Sequence, residues 1–284
     1  MRLSLSTNWC NRRLESGEAI AEKALELGFS ELELGFHTTL EQVAGFKKCL
    51  DRIPVGSIHA FCPVPISAPQ GYPELYQLAD FDEEGVRMAL FQVKRNVKFS
   101  AEIGADTVVL HAGRVMCPSW FKSWHEKKRV TRGVKLLARF RRTLEELVPT
   151  LEENRVTLAL ENLPYFEGFP DEYELAQILS WNLGGRVKGW YDTGHARVRA
   201  VHGWDKVLKA PTAPLDPTNF AGMHLNDVVD RTDDHLAPSF GHVDFAALKT
   251  FAAGVRHVVF EPNAAVSEAD LKTGLAHIKS VWNV

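Results

Sequence analysis

The sequence predicts a single (β/α)8 barrel, a TIM barrel, over residues 1–284. Three observations predict it. Short apolar runs alternate eight times with longer amphipathic stretches, the pattern of parallel strands joined by right-handed crossover helices. The length suits eight such units closed on themselves. Carboxylates and imidazoles recur at the C-terminal end of one apolar run after another, where a barrel gathers its loops into one mouth.

The elements follow in order. Residues 2–7 alternate with period two and predict the first strand, and residues 17–28 carry apolar side chains at helical spacing, with Gly28 placed to end the helix. Residues 31–35 and 40–51 predict the next strand and helix, and 55–60 the third strand. Residues 61–80 hold four prolines without periodicity and predict a lid or rim loop. A long helix is expected over 83–103 and a strand over 106–111, whose continuous apolar centre suits burial on both faces. Residues 113–130 read as irregular, aromatic and basic, followed by a helix over 131–154. Strands are expected at 156–161, 187–192, 220–225 and 256–261, and helices at 171–181, 243–253 and 267–281. A short helical stretch and a proline-rich connection, 210–217, separate the sixth and seventh strands.

Composition narrows the function. A net charge of −3 gives no global attraction to nucleic acid or to an anionic membrane. Cys10, Cys49, Cys62 and Cys117 are scattered with no C-x-x-C pair, which is not a disulfide framework. No apolar run suits a signal peptide or a membrane span, so the expected location is the cytoplasm. The expected partner is a small-molecule substrate, and pairing into a homo-oligomer is compatible with the sequence.

The chemistry lies at the strand ends. His59, His111, Glu161, Asp192, His224 and Glu261 each fall at the end of an expected strand. His195 follows three residues after Asp192, and Asp233 and His235 lie in the loop after the seventh strand. Carboxylates and imidazoles crowded at one mouth repel or stay unsatisfied without a cation. Mixed oxygen and nitrogen donors suit Mn²⁺ or Zn²⁺, with Co²⁺ or Fe²⁺ as further candidates. His37, His125, His202, His257 and His277 fall on loops, helices or mid-strand positions and are not assigned to the site; His242 stays open.

Five stretches carry a resemblance: ALENLP around Glu161, YDTGHA at Asp192 and His195, GMHLND at His224, DDHLAPSFGHVDF from Asp233, and VVFEP at Glu261. In this order they resemble the xylose isomerase-like barrel superfamily over essentially the whole chain. It holds sugar isomerases and epimerases, inosose dehydratases, and nucleases of the endonuclease IV type. The isomerase branch implies one metal on Glu161, Asp192, His224 and Glu261. There the two glutamates also serve as acid and base, and His195 contacts substrate. The nuclease branch implies three zinc ions on nine ligands, and all nine positions find a match. The chain departs from the nuclease pattern at residues 8–13, and Ser239-Phe240-Gly241 stands where glycine-glutamate-glycine is usual.

Two chemistries follow. The first expectation is a metal-dependent isomerase or epimerase of a sugar or sugar phosphate, with Glu161 and Glu261 moving a proton through an enediolate. His59, His111 and His195 would then meet substrate, with Trp9 and Arg197 as further contacts. The second is a multinuclear zinc hydrolase of a small-molecule phosphoester, with His59, His111, His195, Asp233 and His235 as added ligands. A barrel that only binds a metabolite is a third. The aromatic and basic stretch 120–129 and Arg199 are weaker candidates for an anion contact.

Overall fold

The computed structural model describes residues 1–116, 122–208 and 215–284, without the side chains of 122–124, 205 and 207. Eight parallel strands close into a barrel. They are β1 (Ser4–Ser6), β2 (Glu31–Leu34), β3 (Val55–His59), β4 (Thr107–Leu110), β5 (Thr157–Glu161), β6 (Val187–Asp192), β7 (Phe220–Leu225) and β8 (His257–Phe260). Each pairs with the next in sequence, and β8 closes on β1 through Ser4–Val259 and Leu5–Phe260. All eight lie where the apolar runs predict them.

The outer ring holds α1 (Gly17–Leu27), α2 (Leu40–Phe46), α3 (Glu83–Ile103), α4 (Lys122–Asn154), α5 (Glu172–Ser180), α6 (Thr193–His202), α7 (Lys249–Gly254) and α8 (Glu268–Trp282). Local chemistry sets their ends. Asp82 caps α3 by accepting from the backbone of Glu84 and Gly85, and Thr39 and Gln42 form a reciprocal capping box on α2. Gly28 ends α1 at φ 94°, a left-handed value that costs glycine little.

Three expectations are corrected. The helix expected over 131–154 begins at Lys122. Its first turns are charged rather than apolar, so no stripe announces them. They are anchored instead by His125 on Glu167 at 2.7 Å and by the buried Arg129 on Glu174. The helix expected over 243–253 forms only from Lys249, and that expected over 40–51 ends at Phe46. A second, two-stranded sheet pairs Gly113–Arg114 with Gly168–Phe169, and residues this few carry no readable period. Part of the stretch 120–129 and most of the connection 210–217 lie outside the described residues.

Two layers matter for the mouth. Side chains on a strand alternate between its faces. Two residues below His111, Glu161, Asp192 and Glu261 come Val109, Ala159, Trp190 and Val259, which with Ala221 form an apolar cluster of their own. Trp190 fills the barrel interior, 5.0 Å from His224 above it. Gly222 makes room: a Cβ there would lie 2.4 Å from the Trp190 ring. This dry floor separates the mouth from the other end of the barrel. There His257 bonds Asp106 at 2.9 Å, and Ser4 donates to Glu31 at 2.7 Å.

Cys10, Cys49 and Cys62 are free thiols. No helix among the described residues is long and apolar enough to cross a membrane.

Candidate metal centre

The strand ends bring the predicted residues together as three donor sets, each with ligand atoms within 4.8 Å of one another. The central set is Glu161, Asp192, His224 and Glu261; its flanks are His59, His111 and Glu161 on one side, and Asp192, His195 and His235 on the other. Glu161 and Asp192 each belong to two sets. Asp233 adjoins the last, 3.3 Å from His195 Nε2 and 3.2 Å from His235 Nε2.

Glu161 sits at the centre. Its Oε2 meets His59 Nε2 at 3.1 Å and His111 Nε2 at 3.2 Å, and its Oε1 meets His224 Nδ1 at 3.1 Å. Glu261 Oε2 reaches the same His224 nitrogen at 3.1 Å. Asp192 ends β6 and also caps α6, its Oδ1 accepting from the His195 backbone at 2.7 Å. With no loop between strand and helix, the first turn of α6 carries His195 into the mouth.

The imidazoles are held from behind. His59 Nδ1 donates to the Ala60 carbonyl, His195 Nδ1 to that of Asn162, and His235 Nδ1 to that of Glu261. His224 Nε2 donates to Glu33 Oε1. An outer N–H fixed on an acceptor leaves the other ring nitrogen facing the carboxylates, the arrangement a ligating histidine requires. The donors so placed suit a divalent ion at the central set and at Asp192, His195 and His235; in the remaining set His59 is held this way and His111 has no outer hydrogen bond. His235 holds a left-handed φ of 45°, a conformation worth about 1–3 kcal/mol of strain outside glycine. Asn263 pins it by bonding the carbonyls of Asp234 and His235.

Charge balance gives the same reading. Burial pushes the Glu161 carboxyl up, but the charges of His224 and His111 overcome this and hold it well below the ordinary value. Burial lowers His224, yet Glu261, Glu33 and Glu161 hold it well above its usual value. Burial likewise opposes, and Asp192 and Asp233 enforce, a His195 pushed up to about 9. Without an ion, protons held by His224 and His195 offset the neighbouring carboxylates; a bound ion would take their place.

The residues behind the ligands escape a reading of strand ends. Glu33 is buried, accepts from Ser57 Oγ at 2.8 Å, and orients His224. Its signal is a carboxylate within a strand buried on both faces. Asn162 exchanges hydrogen bonds with the Asp192 backbone, and Asn226 donates to Asp192 Oδ2. Asp227 accepts backbone N–H bonds from Val228, Ser239, Gly241 and Val243, which shapes the loop around Ser239-Phe240-Gly241.

Two residues expected to contact substrate lie away from the mouth. Trp9 is 1% exposed, donates from Nε1 to the Val266 carbonyl at 2.8 Å, and packs in the core. Its neighbour Asn8 faces the mouth instead and donates to Glu261 Oε1 at 3.1 Å. Arg197 does not line the mouth; two residues beyond His195 it lies on the far side of α6, about 200° round the helix. Arg199 is buried on Glu172 at 2.8 Å. His37, left out of the site by position, does line the mouth, and burial with Arg12 nearby pushes it down to about 4.

A closed barrel whose mouth gathers all nine of the expected metal-capable side chains defines the class. The chain belongs to the xylose isomerase-like TIM barrel family, whose model matches residues 21–281. No curated protein matches the chain. Solved structures share the fold. A D-tagatose 3-epimerase-like protein aligns over 100% of this chain and 98% of its own, at 20% identity and TM-score 0.71. A 3-keto-D-glucoside 4-epimerase from E. coli aligns over 99% of each chain, at 17% identity and TM-score 0.71. The IOLI protein, solved with a zinc atom, aligns over 100% and 98%, at 16% identity and TM-score 0.68.

Proposed function

We propose that this chain is a divalent-metal-dependent isomerase or epimerase of a sugar or sugar phosphate. The observation that carries the proposal is the convergence of Glu161, the last residue of β5, and Glu261, the residue after β8, on one nitrogen of His224, each at 3.1 Å. Two carboxylates there can address one carbon from different sides, one taking a proton and the other returning it. Glu161, Asp192, His224 and Glu261 would hold the ion. An ion on this set, Mn²⁺ or Zn²⁺ with Co²⁺ or Fe²⁺ as alternatives, supplies Lewis acidity that makes a C–H beside a carbonyl more acidic.

The chain's own residues suit the rest. The mouth has about 470 Å³, within the range of small-molecule sites. Its rim offers neutral hydrogen-bonding groups, including Gln70, Tyr72, Tyr165 and Asn263, beside the ring of Phe36. Such a lining suits hydroxyls and an apolar sugar face. Arg114, at the rim, is already neutralised by Glu74 at 2.6 Å. Asn8 steadies Glu261, and the Asn162 carbonyl turns His195 so that Nε2 faces inward. The sugar epimerases named among the solved structures of this fold support the same class.

The test is proton exchange. In D2O, turnover of a ketose or ketose phosphate should place solvent deuterium on the carbon beside the carbonyl. Glu161→Gln should abolish both exchange and turnover while leaving the fold intact. Exchange that persists in this variant, or its absence from a broad ketose panel with metal bound, rejects the assignment.

A second reading, a multinuclear zinc hydrolase of a small-molecule phosphoester, is favoured by one specific observation. Imidazoles from different donor sets face both oxygens of Glu161, which suits a bridging ligand better than a free base. Elemental analysis separates the two. One metal per chain with full activity supports the isomerase. Two or three zinc ions per chain support the hydrolase, with metal and phosphate release lost together in His59→Ala, His111→Ala, Asp233→Ala or His235→Ala.

A further inference from the structure

We infer that Glu74, carried by the loop over the mouth, is a positioning residue for His111 and makes that loop part of the seat formed by His59, His111 and Glu161. The inference rests on the second reading above, in which His59, His111 and Glu161 seat an ion beside the one on Glu161, Asp192, His224 and Glu261.

Of the five imidazoles in the donor sets, four have an outer hydrogen bond, and His111 is the exception. Its Nδ1 is buried and makes none. Facing it, 3.6 Å away, is Oε1 of Glu74, whose side chain is only 6% exposed. A buried ring nitrogen without a partner is costly, and so is a buried carboxylate short of donors. Each supplies what the other lacks, and a closure of roughly 0.5 Å brings them within hydrogen-bond range.

Glu74 is gripped from its other side. Arg114 donates from Nε to Glu74 Oε2 at 2.6 Å, and its guanidinium lies 3.9 Å over the Tyr165 ring. Arg114 is in turn set by the short sheet that pairs Gly113–Arg114 with Gly168–Phe169. The carboxylate thus joins the loop, the rim and the back of His111. An anionic partner behind a ligating imidazole fixes its tautomer and raises its basicity toward the metal.

The experiment is titration of chelator-stripped protein with Co²⁺, followed by visible absorption, for the wild type, Glu74→Ala and Glu74→Gln. The wild type should take up more than one ion per chain. Glu74→Ala should weaken one binding phase about 10–100-fold. Glu74→Gln, which keeps the side-chain shape and one acceptor oxygen, should recover part of that loss and guards against a failure to fold. The phase belonging to Glu161, Asp192, His224 and Glu261 should not move. Unchanged isotherms in both variants overturn the inference, as does an equal weakening of all phases, which marks a merely structural role. Uptake of a single ion by the wild type removes the seat itself, and that failure shows before any variant is made.

Discussion

Glu33 and His224 meet across the inside of the barrel, Oε1 to Nε2 at 3.0 Å, with both side chains fully buried. The bond places the outer proton of His224 on Nε2 and turns Nδ1 toward Glu161 and Glu261. Burial pushes the Glu33 carboxyl up, and His224 and His59 overcome it and hold it below the ordinary value. Glu33→Ala leaves a buried imidazole without its outer acceptor. Metal affinity at the central set should fall about 10–100-fold. Stability of the metal-free protein should fall by about 3–5 kcal/mol in urea titration at pH 7. If affinity and stability both match the wild type, Glu33 does not hold His224.

Metal binding should strengthen with pH. The raised values of His195, at about 9, and of His224 mean that in the metal-free mouth these two imidazoles keep their extra protons at neutral pH. Each ion must displace them, so competition weakens as pH rises from 6 toward 9. Calorimetry in buffers of different ionisation enthalpy should show net proton release on binding at pH 7. Affinity that stays flat across this range would mean the imidazoles are already neutral.

Asp227 organises the loop that carries Asp233 and His235. Asp227→Ala strips the acceptor from four backbone N–H groups at once. Stability should fall by about 1–3 kcal/mol. Amide exchange over residues 228–243 should accelerate, and the set of Asp192, His195 and His235 should weaken. Glu161, Asp192, His224 and Glu261 should keep their ion, because none of them lies in that loop. Unaltered exchange there would show that the loop is held by other contacts.

The opposite end of the barrel should give stability its own pH dependence. Burial lowers His257, but Asp106 and Glu31 outweigh it and raise the group above its usual 6.5. Burial raises Glu31 and Asp106, yet His257, hydrogen-bonded to Asp106 and 3.6 Å from Glu31, leaves both below their usual 4.5 and 3.8. The raised histidine stabilises fully below about pH 6.5 and loses this as pH climbs through its folded value. The lowered carboxylates stabilise above about pH 4.5 and lose this as pH falls. The cluster therefore contributes most between those limits. The Tm difference between wild type and His257→Gln should peak near pH 5.5 and shrink on either side. A difference independent of pH would assign His257 to packing alone.

Strand positions and the residues at their ends were legible in the sequence because both follow local rules. A strand buried on two faces must be an apolar run. A parallel barrel sends every strand end to one face. His59, His111, Glu161, Asp192, His224 and Glu261 could thus be placed together from position alone, and the structure brings them within ligand reach. The onset of α4 was not legible, since its first turns are held by Glu167 and Glu174 rather than by an apolar stripe.

The partners behind the ligands were decided only by tertiary structure. Glu33 reaches His224 across 191 residues of sequence, and Glu74 comes to His111 from a loop with no period to read. Trp9 and Asn8 are adjacent, yet one turns into the core and the other to Glu261. The pattern of apolar and polar residues says which positions are buried. Which buried polar group meets which is set by barrel closure and register, because each such group must find its hydrogen bond wherever the fold brings a partner within reach.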